Sequence, residues 1–232
     1  MSNLRAWEAY HACRNCQAKG KNPPFFRRLS KAGTDLNRIA RSAERSPALV
    51  ESVIDAIGAD AARPKFAASK LLRILSQQSP KLVYPHFDFL AGLLKSENSI
   101  LKWNAMLTLA SLAVVDQQHK LDAILDAYLA PICGAVLVDA ANTIKGAAVI
   151  ARAKPRLAGK IASQVLQVEN ATYATPECRN VAIGHAIEAL DQFFPLIEDK
   201  AKVQSFVAGQ VNNTRSATRH KAQKFCKKWP AS

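Results

Sequence analysis

One short pattern recurs along this chain and restricts its fold more than any other feature: a basic residue, an alanine three positions later, and apolar residues at seven and ten. It stands in KFAASKLLRIL as Lys65, Ala68, Leu72 and Leu75, and in KWNAMLTLASL as Lys102, Ala105, Leu109 and Leu112. RNVAIGHAIEAL carries it at Arg179, Ala182, Ala186 and Ala189, and RHKAQKFCKKW at Arg219, Ala222, Cys226 and Trp229. KGAAVIARAKP matches at Lys145 and Ala148 but has Arg152 where an apolar residue is expected. Successive basic residues are 37, 43, 34 and 40 positions apart, near the ~40-residue period of helical-pair repeats. Offsets of three, seven and ten fall on one face of a helix, and the small alanine lets a neighbouring helix approach closely.

Each such helix is followed by a second, often opened by Ser-Pro or Lys-Pro: SPALVESVIDAIG, SPKLVYPHFDFLAGLLK and KPRLAGKIASQVLQV. Proline is free of cost at the first helical position, and the Ser46 and Ser79 hydroxyls are expected to cap the amides that follow. Leu49, Val53 and Ile57, and again Leu157, Ile161 and Val165, form the apolar stripes of these second helices. With 49% hydrophobic residues, 7% aromatics and 9 glycines in 232 residues, the composition favours closely packed helices over sheet. The class expected is all-α.

The basic-x-x-Ala first helix and a second helix interrupted by Pro85 resemble a HEAT repeat, and residues 46–229 are similar to a HEAT or armadillo-like α-solenoid. The resemblance implies a right-handed superhelical solenoid of about five helical hairpins, spanning residues 34–232 behind a basic N-terminal extension of residues 1–33. Such solenoids bind partners on a concave face lined by the second helices. The function it implies is a non-catalytic scaffold or adaptor with a protein partner. The residues placed on that face are Lys81, Asp88, Asp122, Asp126, Arg156, Lys160, Lys200 and Lys202, together with Glu51, Asp55, Gln164 and Gln204. The competing reading is that they are ordinary solvated faces.

Charge supplies the alternative. The formal net charge is +14, but residues 1–45 hold ten basic and three acidic side chains, residues 46–213 sixteen and fifteen, and residues 214–232 six and none. The ends are basic and the middle is neutral. Arg27, Arg28, Lys31, Arg38, Arg41 and Arg45 at one end, and Arg215, Arg219, Lys221, Lys224, Lys227 and Lys228 at the other, suit a polyanion. The alternative function is therefore a nucleic-acid-binding HEAT-like protein, and its catalytic form resembles the DNA alkylation-repair glycosylases. That chemistry requires an aromatic and a carboxylate at the flipped nucleotide, and no carboxylate follows the central Trp103 at helical spacing.

His11, Cys13 and Cys16 in HACRNC have the spacing of half a tetrahedral zinc site, but no second pair follows, and no metal or other cofactor is expected. Cys133, Cys178 and Cys226 fall within apolar patterns and are expected to be reduced, buried thiols. Phe25 and Phe26 are expected to seal the exposed face of the first hairpin. His86, His119, His185 and His220 lie in different hairpins without a Ser/His/Asp or Cys/His arrangement, and no small-molecule site is evident. The N-terminus lacks the apolar run of a secretory signal, which makes the cytoplasm the expected location, with organellar targeting as the alternative for an Arg-rich start. No stretch has the ~20 apolar residues of a membrane span.

Overall fold

Helix follows helix without a strand among the described residues, which in this computed structural model are 23–43, 46–58 and 61–230. The chain divides into two compact units, Met1–Gln118 and His119–Ser232. In the first, α1 (Pro23–Ser30), α2 (Leu36–Ala43) and α3 (Pro47–Ile57) pack against α4 (Ala62–Gln78). A short α5 (Pro80–Val83), a 3-10 turn (Tyr84–His86) and α6 (Phe87–Leu93) lead to α7 (Ser99–Leu112), which packs on α4. In the second, α8 (Lys120–Leu129), α9 (Leu137–Ala153), α10 (Ala158–Leu166), α11 (Pro176–Phe193), α12 (Lys200–Ala208) and α13 (Ser216–Lys228) follow, with α9 packed on α11 and α11 on α13.

The repeated pattern is the packing pattern. Ala68, Leu72 and Leu75 of α4, Ala105, Leu109 and Leu112 of α7, and Ala182, Ala186 and Ala189 of α11 are all buried. Each fully buried leucine contributes on the order of 1.5–3 kcal/mol relative to an exposed one, so this stripe fixes which face each helix turns inward. Arg152, the one mismatch, is exposed and lies outside the buried face of α9. The stripes of the second helices are buried too, except that Leu49 is only half-buried.

The leading basic residue has a structural task in the last two hairpins. Arg179 Nε donates to the Ala171 carbonyl at 3.2 Å, and Arg219 donates to the Asn213 carbonyl at 2.8 Å. Each guanidinium thus ties its helix to the turn that precedes it. Pro85, Pro131 and Pro195 have no N–H for a helical ladder; Pro85 interrupts the second helix between α5 and α6, Pro131 follows α8 and Pro195 follows α11. At each the chain tightens to a 3-10 turn: Tyr84–His86, Ala130–Cys133 and Phe194–Leu196.

Polar side-chain contacts link segments that lie far apart in sequence. Tyr84 reaches Asp116, 32 residues on, and Tyr173 reaches the Ile132 carbonyl, 41 residues back. Asn104–Ser69, Asn180–Thr214 and Thr218–Asn180 join segments 35, 34 and 38 residues apart.

Two local expectations are corrected. The Ser46 and Ser79 side chains make no cap hydrogen bond; Asn98 caps α7 by accepting from the Ile100 and Leu101 amides, and Thr175 caps α11 by accepting from Cys178. The thiols Cys133, Cys178 and Cys226 are free, as expected, but not buried: Cys133 is exposed and the others are half-buried. Cys226, on the stripe of the last helix by its spacing, is half-buried beside the buried Ala222 and Phe225. At the N-terminal side Phe25 is buried, with Leu29, while Phe26 is half-buried.

Candidate interaction surfaces

The second unit gathers four of the residues assigned to partner binding into one network. Asp122 of α8 accepts from Lys154 Nζ at 3.2 Å and pairs with Arg156, both from the segment entering α10. One turn on, Lys160 and Asp126 pair at 2.6 Å. His119 sits at the N-cap of α8 in the left-handed region, φ 55°, with Arg156 2.8 Å from its Nδ1. Burial pushes the Asp122 carboxyl up, but hydrogen bonds and charge from Arg156 and Lys154 outweigh it and hold the group below the usual aspartate range.

The network joins a deep part to an exposed one. The Lys154 side chain is 7% exposed, whereas those of Arg156, Lys160 and Asp126 are 52%, 48% and 78% exposed. The sequence reading missed Lys154 and His119: a lysine ahead of a proline and a lone histidine carry no periodic signal. Lys202 pairs with Asp199, the N-cap residue of α12, at 2.9 Å, and Lys200 is exposed at the first position of α12. In the first unit Lys81 and Asp88 are exposed, and His86 lies 3.4 Å from Glu51 of α3.

At the C-terminal end most of the cations assigned to polyanion binding are engaged. Arg215 pairs with Glu177, Lys221 with Glu188 at 2.6 Å and Lys228 with Asp191 at 2.8 Å, so α13 is matched to α11 along its length. The hydrogen bond from Lys221 holds Glu188 below the usual glutamate range. Trp229 donates from Nε1 to Asp191 at 2.7 Å and packs on Phe194, ring centroids 5.1 Å apart, beneath Lys228. Arg219 holds the Asn213 carbonyl, which leaves Lys224 and Lys227 as exposed cations of this helix without such partners among the described residues.

The N-terminal end differs. Arg27, Arg28, Lys31, Arg38 and Arg41 are all exposed, and none forms an ion pair among the described residues. Arg45 and the His11, Cys13 and Cys16 motif lie outside those residues. Among the described residues no group of three or more His, Cys, Asp or Glu is arranged to hold a metal ion, and no helix is long and apolar enough to cross a membrane.

Tyr84 donates to the buried Asp116 at 2.6 Å; burial and that carboxylate push its hydroxyl up to about 12. Burial, followed by the charge of Lys221, holds the His185 imidazole below the ordinary histidine range. Trp103 is half-buried on α7. Comparison of the sequence with models of known families and with curated proteins gives no match.

Proposed function

We propose that this chain is a HEAT-like helical-repeat protein whose work is to hold another macromolecule, a protein, on its row of second helices, without catalysis. The observation that carries the reading is the exposed charge row of α8 and the segment leading into α10, where Asp126, Arg156 and Lys160 present alternating signs anchored from below by Lys154 and Asp122. Exposed ion pairs add at most about 1 kcal/mol each to stability. A partner with complementary charges can exchange them at little cost, and charge alternation selects its register. The first helices, by contrast, spend their apolar faces on each other.

The test is a paired capture from cells that produce the chain, using it as bait beside Asp126→Lys and Lys160→Glu variants of unchanged melting temperature. A protein retained by the parent chain and lost from each variant supports the reading. Equal retention by all three overturns it, as does release of alkylated bases from damaged duplex DNA, which would make the chain an enzyme.

A further inference from the structure

Among the described residues, cations of the C-terminal helix are paired with carboxylates and those of α1, α2 and α4 are not. Residues 23–43 and 61–78, which make α1, α2 and α4, contain nine basic side chains and one acidic one. The single carboxylate, Asp35, accepts from the Arg38 amide at 3.0 Å at the start of α2. The cations are Arg27, Arg28, Lys31, Arg38, Arg41, Arg63, Lys65, Lys70 and Arg73, and none forms an ion pair among the described residues. On α13 an equally basic sequence meets Glu177, Glu188 and Asp191.

These helices form one block. Both α1 and α2 pack on α4, and the Arg63 guanidinium donates to the Ser30 carbonyl at 3.2 Å, which brings the start of α4 against the end of α1. The turn between α1 and α2 is held by Thr34, which donates to the Arg28 and Lys31 carbonyls, and by Gly33 at φ 73°. Along α4 the exposed Arg63 and Lys70 and the half-buried Arg73 stand at offsets of zero, seven and ten, away from the buried Ala68, Leu72 and Leu75. At 1.5 Å per residue this row is about 15 Å long.

We propose that the exposed faces of α1, α2 and α4 are a docking surface for the phosphate backbone of duplex nucleic acid, independent of the protein-partner surface on the second helices. Six of the nine cations are arginines, whose planar guanidinium binds phosphate in a bidentate manner. The large hydrophobic side chains exposed elsewhere, Ile100, Val114, Val136, Val138 and Leu196, all lie off these three helices. A protein interface needs a buried apolar anchor and a membrane-surface helix needs an apolar face to insert. A phosphate backbone needs neither, and its affinity comes from counterion release. Binding is sequence-independent, because the cations contact phosphates and not base edges.

The experiment is fluorescence anisotropy of a labelled mixed-sequence DNA duplex against the full chain over a salt series. The chain binds at low salt, with an affinity that falls steeply as salt rises. Replacing Arg28, Arg38 and Lys70 by Ala weakens binding at least about tenfold and lowers the salt slope by about two to three. Replacing Arg215, Lys221 and Lys228 by Ala removes the same charge and changes the affinity less than about twofold, since those cations are already paired. Should the N-terminal triple variant fail to fold, Arg38→Gln and Lys70→Gln singly each lower the slope by about one. Absence of binding at low salt, equal losses in the two triple variants, or tight binding to anionic lipid vesicles without binding to DNA each overturn the proposal.

Discussion

Gly184 shows how closely two of these helices meet. It lies on the buried face of α11, and a Cβ built on it would stand 2.7 Å from Thr218 Oγ1 of α13, the hydroxyl that donates to the Asn180 carbonyl at 2.7 Å. Gly184→Ala must displace that hydroxyl or the helix, so it destabilises the fold by about 1–3 kcal/mol, measurable as a lower denaturation midpoint at unchanged m-value. Asp122 is the residue whose charge matters most in its network. Its folded pKa lies below the ordinary value of about 3.8. Its contribution to stability is therefore complete above that value and is lost as pH falls through the lower folded value. Asp122→Asn removes the countercharge of the buried Lys154, so it lowers stability at pH 7 and flattens the acid limb of a stability–pH curve recorded by urea titration. Both effects depend on contacts between hairpins, which a sequence pattern does not display.

At the level of elements, the stripes of α4, α7, α11 and α13 were legible from spacing alone, since burial of Ala and Leu at offsets of three, seven and ten follows directly from helix geometry. The closing helix was legible for the same reason: Ala222 and Phe225 are buried, with Cys226 and Trp229 half-buried beside them. What Trp229 touches was not legible, because Phe194 and Asp191 lie on the preceding hairpin. Trp229→Ala removes one aromatic contact and one hydrogen bond at the end of α13, a loss of about 2 kcal/mol, and amides of α13 then exchange faster while those of α4 do not. The caps were misread because Ser-Pro resembles a helix start in sequence, whereas capping requires a hydroxyl turned toward an amide, a rotamer set by the surrounding turn.

For the molecule as a whole, the +14 charge is distributed unevenly between paired and unpaired cations. Like charges on α1, α2 and α4 repel one another, and screening relieves that repulsion, whereas the exposed pairs on α13 lose at most about 1 kcal/mol each. Moderate salt is therefore expected to raise the melting temperature of the full chain in calorimetry; a fall would mean that the paired end dominates.

The sequence alone determined the all-helical class, the inward face of each first helix and the helical nature of the basic C-terminus, because each depends on residues within one or two turns of each other. The tertiary structure alone decided which cations are spent. A lysine on α13 is neutralised by a carboxylate 33 or 37 residues earlier, and an arginine on α2 pairs with none among the described residues. That outcome depends on how helices from successive hairpins cross, a geometry set by side-chain volume at their contact and not by the order of charges along the chain.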